Sequence, residues 1–223
     1  MVREEAMSYL ESYIAGTIHS SDANFKSAIA YLASNYGSSI KKYGFKINGY
    51  DADRYDNLIK AWSYFWKTKF SSKGYDYNNS YIKAMLSVET KIGVYAGTRN
   101  GKVDVMQCLD AENPAVYCMA KIKPSNGTSY DSNEGLSYGM QSSGYKGLRN
   151  IFSSGKPQAS KCSSNLSICF GILWLGYKTA WKGSITAGIK YYNGLGNASY
   201  LSDVKTVNSN PKAYFMAHGY TVS

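Results

Sequence analysis

Tyr81-Ile82-Lys83-Ala84-Met85-Leu86-Ser87-Val88-Glu89-Thr90 is the stretch whose reading decides the fold. Tyr81, Met85 and Val88 recur at the spacing of one helix face, which predicts a helix over residues 80–90. Glu89 comes four residues after Met85 and seven after Ile82, on or beside that apolar stripe and close to the helix C-terminus. Burial and the negative end of the helix dipole both favour the protonated carboxyl, so its pKa is expected to rise. A carboxylic acid that keeps its proton near neutrality is what a glycosidase needs to protonate a leaving-group oxygen. The plain alternative is a glutamate at a helix edge reaching out to water.

Upstream, Ala6, Leu10, Tyr13, Ile14 and Thr17 form one helical stripe, and Phe25, Ile29, Leu32 and Tyr36 form a second. Ser20, Ser21 and Asp22 are capping candidates before the second stripe. Gly37, Gly44 and Gly49 then break the pattern. Tyr55, Leu58, Ile59, Trp62, Phe65, Trp66 and Lys69 mark the strongest helix, with Asp51 or Asp53 at its start, and its aromatics read as core. Downstream, residues 93–107 carry short alternations (Val94 with Ala96, Val103 with Val105) and predict a small β-ribbon. Pro114 opens a short helix to Ile122. Residues 124–161 read as a long loop, and helices return over residues 164–178, 184–192 and 198–207. The sum is a mainly α fold with a small β-ribbon in the middle. It is expected as a single domain, residues 1–223, in which a helical N-terminal extension (1–50) packs on a catalytic core (51–210).

The chain has 223 residues, 44% of them hydrophobic and 18% charged, which supplies a core and argues against disorder. No apolar run approaches the length of a membrane span. Met1-Val2-Arg3-Glu4-Glu5 has no apolar segment after it, so no signal peptide is read there. Two histidines, His19 and His218, exclude a His-rich metal site, and Cys108, Cys118, Cys162 and Cys169 match no zinc spacing. Neither metal nor cofactor is expected. The four cysteines permit two disulfides, with the pairing open, and lean toward an oxidising destination. A net charge of +10 draws the protein toward polyanions, namely nucleic acid, acidic membranes or an anionic cell wall, unless it is simply a solvated surface. Apart from Lys41-Lys42, lysines come singly, and no nucleic-acid recognition motif appears, so nucleic acid is not expected as a partner. The 22 tyrosines suit stacking on flat ligands.

The run ending in Glu89-Thr90 resembles the catalytic helix of lytic transglycosylases and goose-type lysozymes, where a Glu ends an apolar helix and a small hydroxyl residue follows. Asp104-Val105-Met106-Gln107 is similar to the Gly-Leu-Met-Gln turn of that family. Asn165 to Leu175 resembles the helix that opens with Asn-Ile and carries a Gly. Ile189-Lys190-Tyr191-Tyr192-Asn193-Gly194, with Tyr200 and Val204 after it, resembles the Ala-Tyr-Asn segment. The four signals run in the family's order from about Ser80 to Val207. Two departures stand out: Thr90 replaces the usual Ser, and Asp104 replaces a Gly.

The resemblance implies a lysozyme-like fold and a peptidoglycan glycosidase (muramidase) acting on the MurNAc-GlcNAc β-1,4 bond, with Glu89 as general acid. Asp104 is a candidate second acid or a turn holder. Asp110 is a candidate second acid or a helix N-cap. Thr90, Met106, Gln107, Tyr191, Tyr192 and Asn193 are the substrate-binding candidates, and Tyr95, Tyr138 and Tyr145 lie in or near the expected cleft. A water-positioning carboxylate would give reducing-end products; without one, the N-acetyl group or an internal hydroxyl attacks and an anhydro sugar forms. Paired carboxylates lead us to expect hydrolysis. The rival class is a non-catalytic wall-glycan binder. Peptidoglycan strands are the expected partner, a neutralising immunity protein is a further candidate, and a monomer is expected. Action in the periplasm or at the wall then requires a non-Sec route, as for an antibacterial effector or phage lysin, or a longer parent chain.

Overall fold

Ten helices and two short hairpins organise the residues described in the computed structural model, which are 1–95, 103–125, 127–194 and 197–223. Helices α1 (Arg3–Ile14) and α2 (Ala23–Asn35) come first. Of the three capping candidates, Asp22 takes the role: its carboxylate accepts from the Phe25 amide at 3.0 Å. A hairpin of β1 (Lys46–Ile47) and β2 (Tyr50–Asp51) follows, paired Lys46 with Asp51 and Ile47 with Tyr50. The last residues extend it, since the Lys46 amide donates to the Ser223 carbonyl at 2.7 Å and the Asn48 amide to Thr221 at 2.8 Å.

Helix α3 (Asp56–Lys69) starts later than the sequence suggests. Asp53 does not cap it, because its carboxylate accepts from the Tyr43 and Gly44 amides and pairs with Lys83. Helix α4 (Asn79–Thr90) carries Glu89 and is capped by Asn78. Its buried Lys83 also meets Asp56 at 2.8 Å, which ties α4 to the start of α3. Burial works against the Asp53 carboxylate, yet Lys83 and the two amides outweigh it and hold its pKa below the ordinary carboxylate value.

The short helix α5 (Pro114–Ala120) is capped by Asn113. Between it and the next long helix lie α6 (Lys146–Arg149) and a hairpin of β3 (Phe152–Ser153) and β4 (Lys156–Pro157), inside the stretch expected as loop. The centre of the molecule is α7 (Ser164–Lys182), ended by left-handed Gly183. Helices α8 (Ile185–Tyr192), α9 (Tyr200–Ser209) and α10 (Pro211–Ala217) complete the chain, and α10 was not anticipated from the sequence. The fold is mainly α. The β-ribbon expected over 93–107 falls in part on residues 96–102, outside the described residues, and its described flanks carry no strand.

Packing of α3 on α7 sets the core. Trp62 and Trp66 are buried, and each indole N–H finds an acceptor on α7: Trp62 on the Asn165 side chain and Trp66 on the Cys169 carbonyl, both at 2.8 Å. Phe65, Tyr145 and Phe170 close around Trp66. Burying each such ring stabilises the fold by roughly 1.5–3 kcal/mol. Tyr145, expected near the cleft, is thus a core residue. The thiols of Cys108, Cys118 and Cys169 are buried and unbridged, so the two disulfides that the even count permits are not formed. Among the described residues no helix is long and apolar enough to cross a membrane.

Candidate active site

Glu89 is the penultimate residue of α4, and the way this helix ends positions it. The Lys91 amide donates to Ser87 O at 3.1 Å and the Ile92 amide reaches back to Leu86 O at 3.0 Å, a left-handed closure in which glycine is the usual residue. Here Lys91 (φ 52°), Ile92 (φ 57°) and Gly93 (φ 71°) are left-handed in succession. A β-branched residue in this region is an outlier, and each strained residue costs about 1–3 kcal/mol and persists only where its surroundings impose it. They do: the Ile92 side chain is buried and its carbonyl accepts from the Arg54 guanidinium. The Gly93 amide donates to Thr90 Oγ1 at 2.9 Å, and Lys91 Nζ donates to Val88 O and Tyr214 Oη.

The segment 103–109 folds against this helix end. Thr90 Oγ1 donates to Val105 O at 3.0 Å, and Gln107, itself left-handed (φ 48°), donates through its side chain to the Glu89 carbonyl. Helix α7 anchors the segment from below. The Met106 amide donates to Ser167 Oγ at 2.9 Å, and Ser167 in turn donates to Asp104 at 2.7 Å. The Met106 side chain lies against Gly171, where an added Cβ would come within 2.5 Å of Sδ. From α8, Tyr192 donates to Met106 O at 2.9 Å. From α9, the Tyr200 phenol faces Glu89 in a contact short of regular hydrogen-bond geometry.

The Glu89 residue keeps some accessible surface, but desolvation dominates its carboxyl and pushes its pKa up to about 7. The charge of Asp104 adds to the rise, while Tyr200 and Lys91 oppose it. Burial lowers the Lys91 ammonium, against the pull of Asp203 and Glu89. The result is a carboxyl that gains or loses its proton near neutrality beside buried phenols.

Asp104 sits in the turn-holding arrangement. Its carboxylate accepts from Ser167 Oγ, from the Cys108 amide at 3.2 Å and from the Leu109 amide at 2.9 Å, and it is buried. Burial raises its pKa above the ordinary value, and the three donors only partly offset this. Asp110 accepts from the Glu112 amide at 2.8 Å, a local turn, while the cap of α5 is Asn113. Three expected substrate contacts are buried: the side chains of Thr90 and Met106 join α4, the turn and α7, and Tyr192 has its hydroxyl on the Met106 carbonyl. Gln107, Tyr191 and Asn193 keep accessible surface. Tyr191 turns away from its neighbour Tyr192, packing edge-on against Trp181 with Lys182 Nζ 4.0 Å from its ring centroid.

Several residues that build the site were given no role by sequence reasoning. Ser167 is a polar position inside the apolar run of α7, which is a signal in the sequence. Tyr200 follows the Tyr191-Tyr192-Asn193 segment in the sequence. Arg54 and Lys91 left no pattern in the sequence. Concavities of about 380 Å³, lined by His19 and Ser163 among others, and about 440 Å³, lined by Lys190 and Lys205 among others, do not include Glu89. Among the described residues no group of three or more His, Cys, Asp or Glu side chains is arranged to hold a metal ion. Comparison with protein-family models, curated proteins and solved structures finds no match to this chain.

Proposed function

We propose that this chain is a peptidoglycan-cleaving glycosidase that cuts the MurNAc-GlcNAc β-1,4 bond with Glu89 as general acid. The observation that carries the reading is the Glu89 carboxyl, raised to about 7 at the end of α4 and framed by Gln107, Tyr192 and Tyr200. Glu89 gives its proton to the glycosidic oxygen as the C1–O bond breaks, so the leaving sugar departs as a neutral alcohol. The resulting Glu89 carboxylate then faces a positively charged sugar ring. Peptidoglycan strands are the substrate class that the ordered resemblance and the net charge of +10 both favour.

Of the two product types, the geometry favours the single-acid route over the hydrolysis expected from paired carboxylates. All three hydrogen bonds to Asp104 come from the protein's own groups, and Asp110 engages its own turn. In that route the substrate's acetamido oxygen bonds to C1. Glu89 then takes the proton from the sugar's own C6 hydroxyl, whose oxygen displaces the acetamido group and closes an anhydro ring.

Mass analysis of fragments from purified walls tests both levels. Fragments lighter by one water than reducing-end products support the single-acid route. Reducing-end fragments return the second carboxylate to the mechanism. Sedimentation with walls and no fragments at all would make the protein a glycan binder.

A further inference from the structure

Arg54 lies two residues before α3, outside every motif that pointed to the site, yet its guanidinium donates to the carbonyl of Ile92, three residues past Glu89. Its Cζ is 4.9 Å from the ring centroid of Tyr50 and 5.0 Å from that of Tyr55, so the cation is clamped between two aromatic faces. Its Nη1 is buried without a hydrogen-bond partner. A guanidinium placed to satisfy its own donors would not leave one buried and unused. The bond it does make holds the carbonyl of the most strained residue of the site, a buried isoleucine at φ 57°. We infer that Arg54 is a positioning residue for Glu89: clamped by Tyr50 and Tyr55, it fixes the left-handed run 91–93 and so keeps the end of α4 closed over the Glu89 carboxyl.

Other supports of the run come from α4 and its end, with Thr90 Oγ1 on the Gly93 amide and Lys91 Nζ on Val88 O, and from α10, where Tyr214 Oη accepts from Lys91 Nζ. Arg54 is the support that ties it to the start of α3 among the described residues. Without that tie, the Ile92 carbonyl loses its donor, the strained turn relaxes, and water reaches Glu89. The groups that face Glu89 are Asp104 from the turn, Lys91 beside it, Tyr200 from α9 and Tyr192 from α8. Arg54 therefore acts through backbone rather than through its charge, and the two routes differ in sign. Deleting a nearby cation raises a carboxyl pKa, whereas admitting water to a desolvated carboxyl lowers it.

The test is a carbon-13 titration of the Glu89 carboxyl in the wild type, Arg54→Lys, Arg54→Met and Tyr50→Ala, alongside wall-lysis kinetics. The kinetic half rests on the proposed function; the titration does not. Arg54→Met should lower the Glu89 midpoint by about one unit and lower kcat at least about tenfold, with KM changed less than about twofold. Arg54→Lys, which can still donate to Ile92 O, should restore most of both. Tyr50 is 47% exposed, so Tyr50→Ala tests the clamp without opening the core, and a smaller downward shift is expected. An unchanged or raised midpoint in folded Arg54→Met overturns the inference. Should that variant fail to fold, an unchanged midpoint in Tyr50→Ala does the same. A normal Glu89 shift with no lysis by the wild type would sink the proposed function and leave the positioning role standing.

Discussion

Glu89 and Asp104 are both buried carboxyls raised by desolvation, and their partners separate them. Asp104 has three donors from the protein, whereas the Glu89 carboxyl meets a phenol in loose contact and the residue keeps some accessible surface. One is built to stay, the other to exchange a proton. Because the native state holds the Glu89 proton more tightly than the unfolded chain, its contribution to stability is complete below about pH 4.5 and is lost as pH rises through about 7. The loss amounts to up to roughly 3 kcal/mol. Urea midpoints at about pH 5 and about pH 8 should therefore differ more in the wild type than in Glu89→Gln. Equal differences would mean that the carboxyl is not desolvated. Lysis should likewise fall as pH rises beyond about 7, where the acid is deprotonated. Asp104→Asn puts an amide before two backbone donors and should cost about 1–3 kcal/mol. Lysis per folded molecule should stay within about tenfold of wild type; a loss near a thousandfold would make Asp104 catalytic.

Helix α7 is the template of the site. Ser167 and Gly171 stand one turn apart on the face that meets the turn segment, the first holding Asp104 and the Met106 amide, the second leaving room for the Met106 side chain. Gly171→Ala should force Met106 aside, destabilise the fold by about 1–3 kcal/mol and reduce lysis through the displaced Gln107. Thermal melting with lysis assays checks this, and an unchanged melting temperature with full lysis would contradict the template role. The longer helices were legible because each carries an apolar stripe with a 3.6-residue period, from Leu10 and Phe25 to Trp62 and Met85, whereas the short α6 and α10 span too few turns to show one. The start of α3 was misplaced because Asp53 serves a salt bridge to Lys83 from a distant helix, which local capping rules do not see. Within the site, Glu89 was legible from its place on the α4 stripe and Tyr192 from its motif. Arg54 was invisible for a physical reason: its contact is to a backbone carbonyl, and any sequence presents a carbonyl there.

At the scale of the whole molecule, the net charge of +10 comes from lysines and arginines dispersed along the sequence, with no run of five or more like charges. Attraction of such a surface to an anionic wall is long-ranged and screened, so lysis should weaken steadily as salt rises from roughly 0.05 to roughly 0.5 M. A flat response from folded protein would remove charge from wall loading. The central claim rests on one residue, and purified walls read it directly. Clearing of a wall suspension should be at least about a thousandfold slower with Glu89→Gln than with the wild type at equal concentration and about neutral pH, both proteins giving the same circular dichroism. Retention of more than about a tenth of the wild-type rate by a folded Glu89→Gln protein would contradict the account.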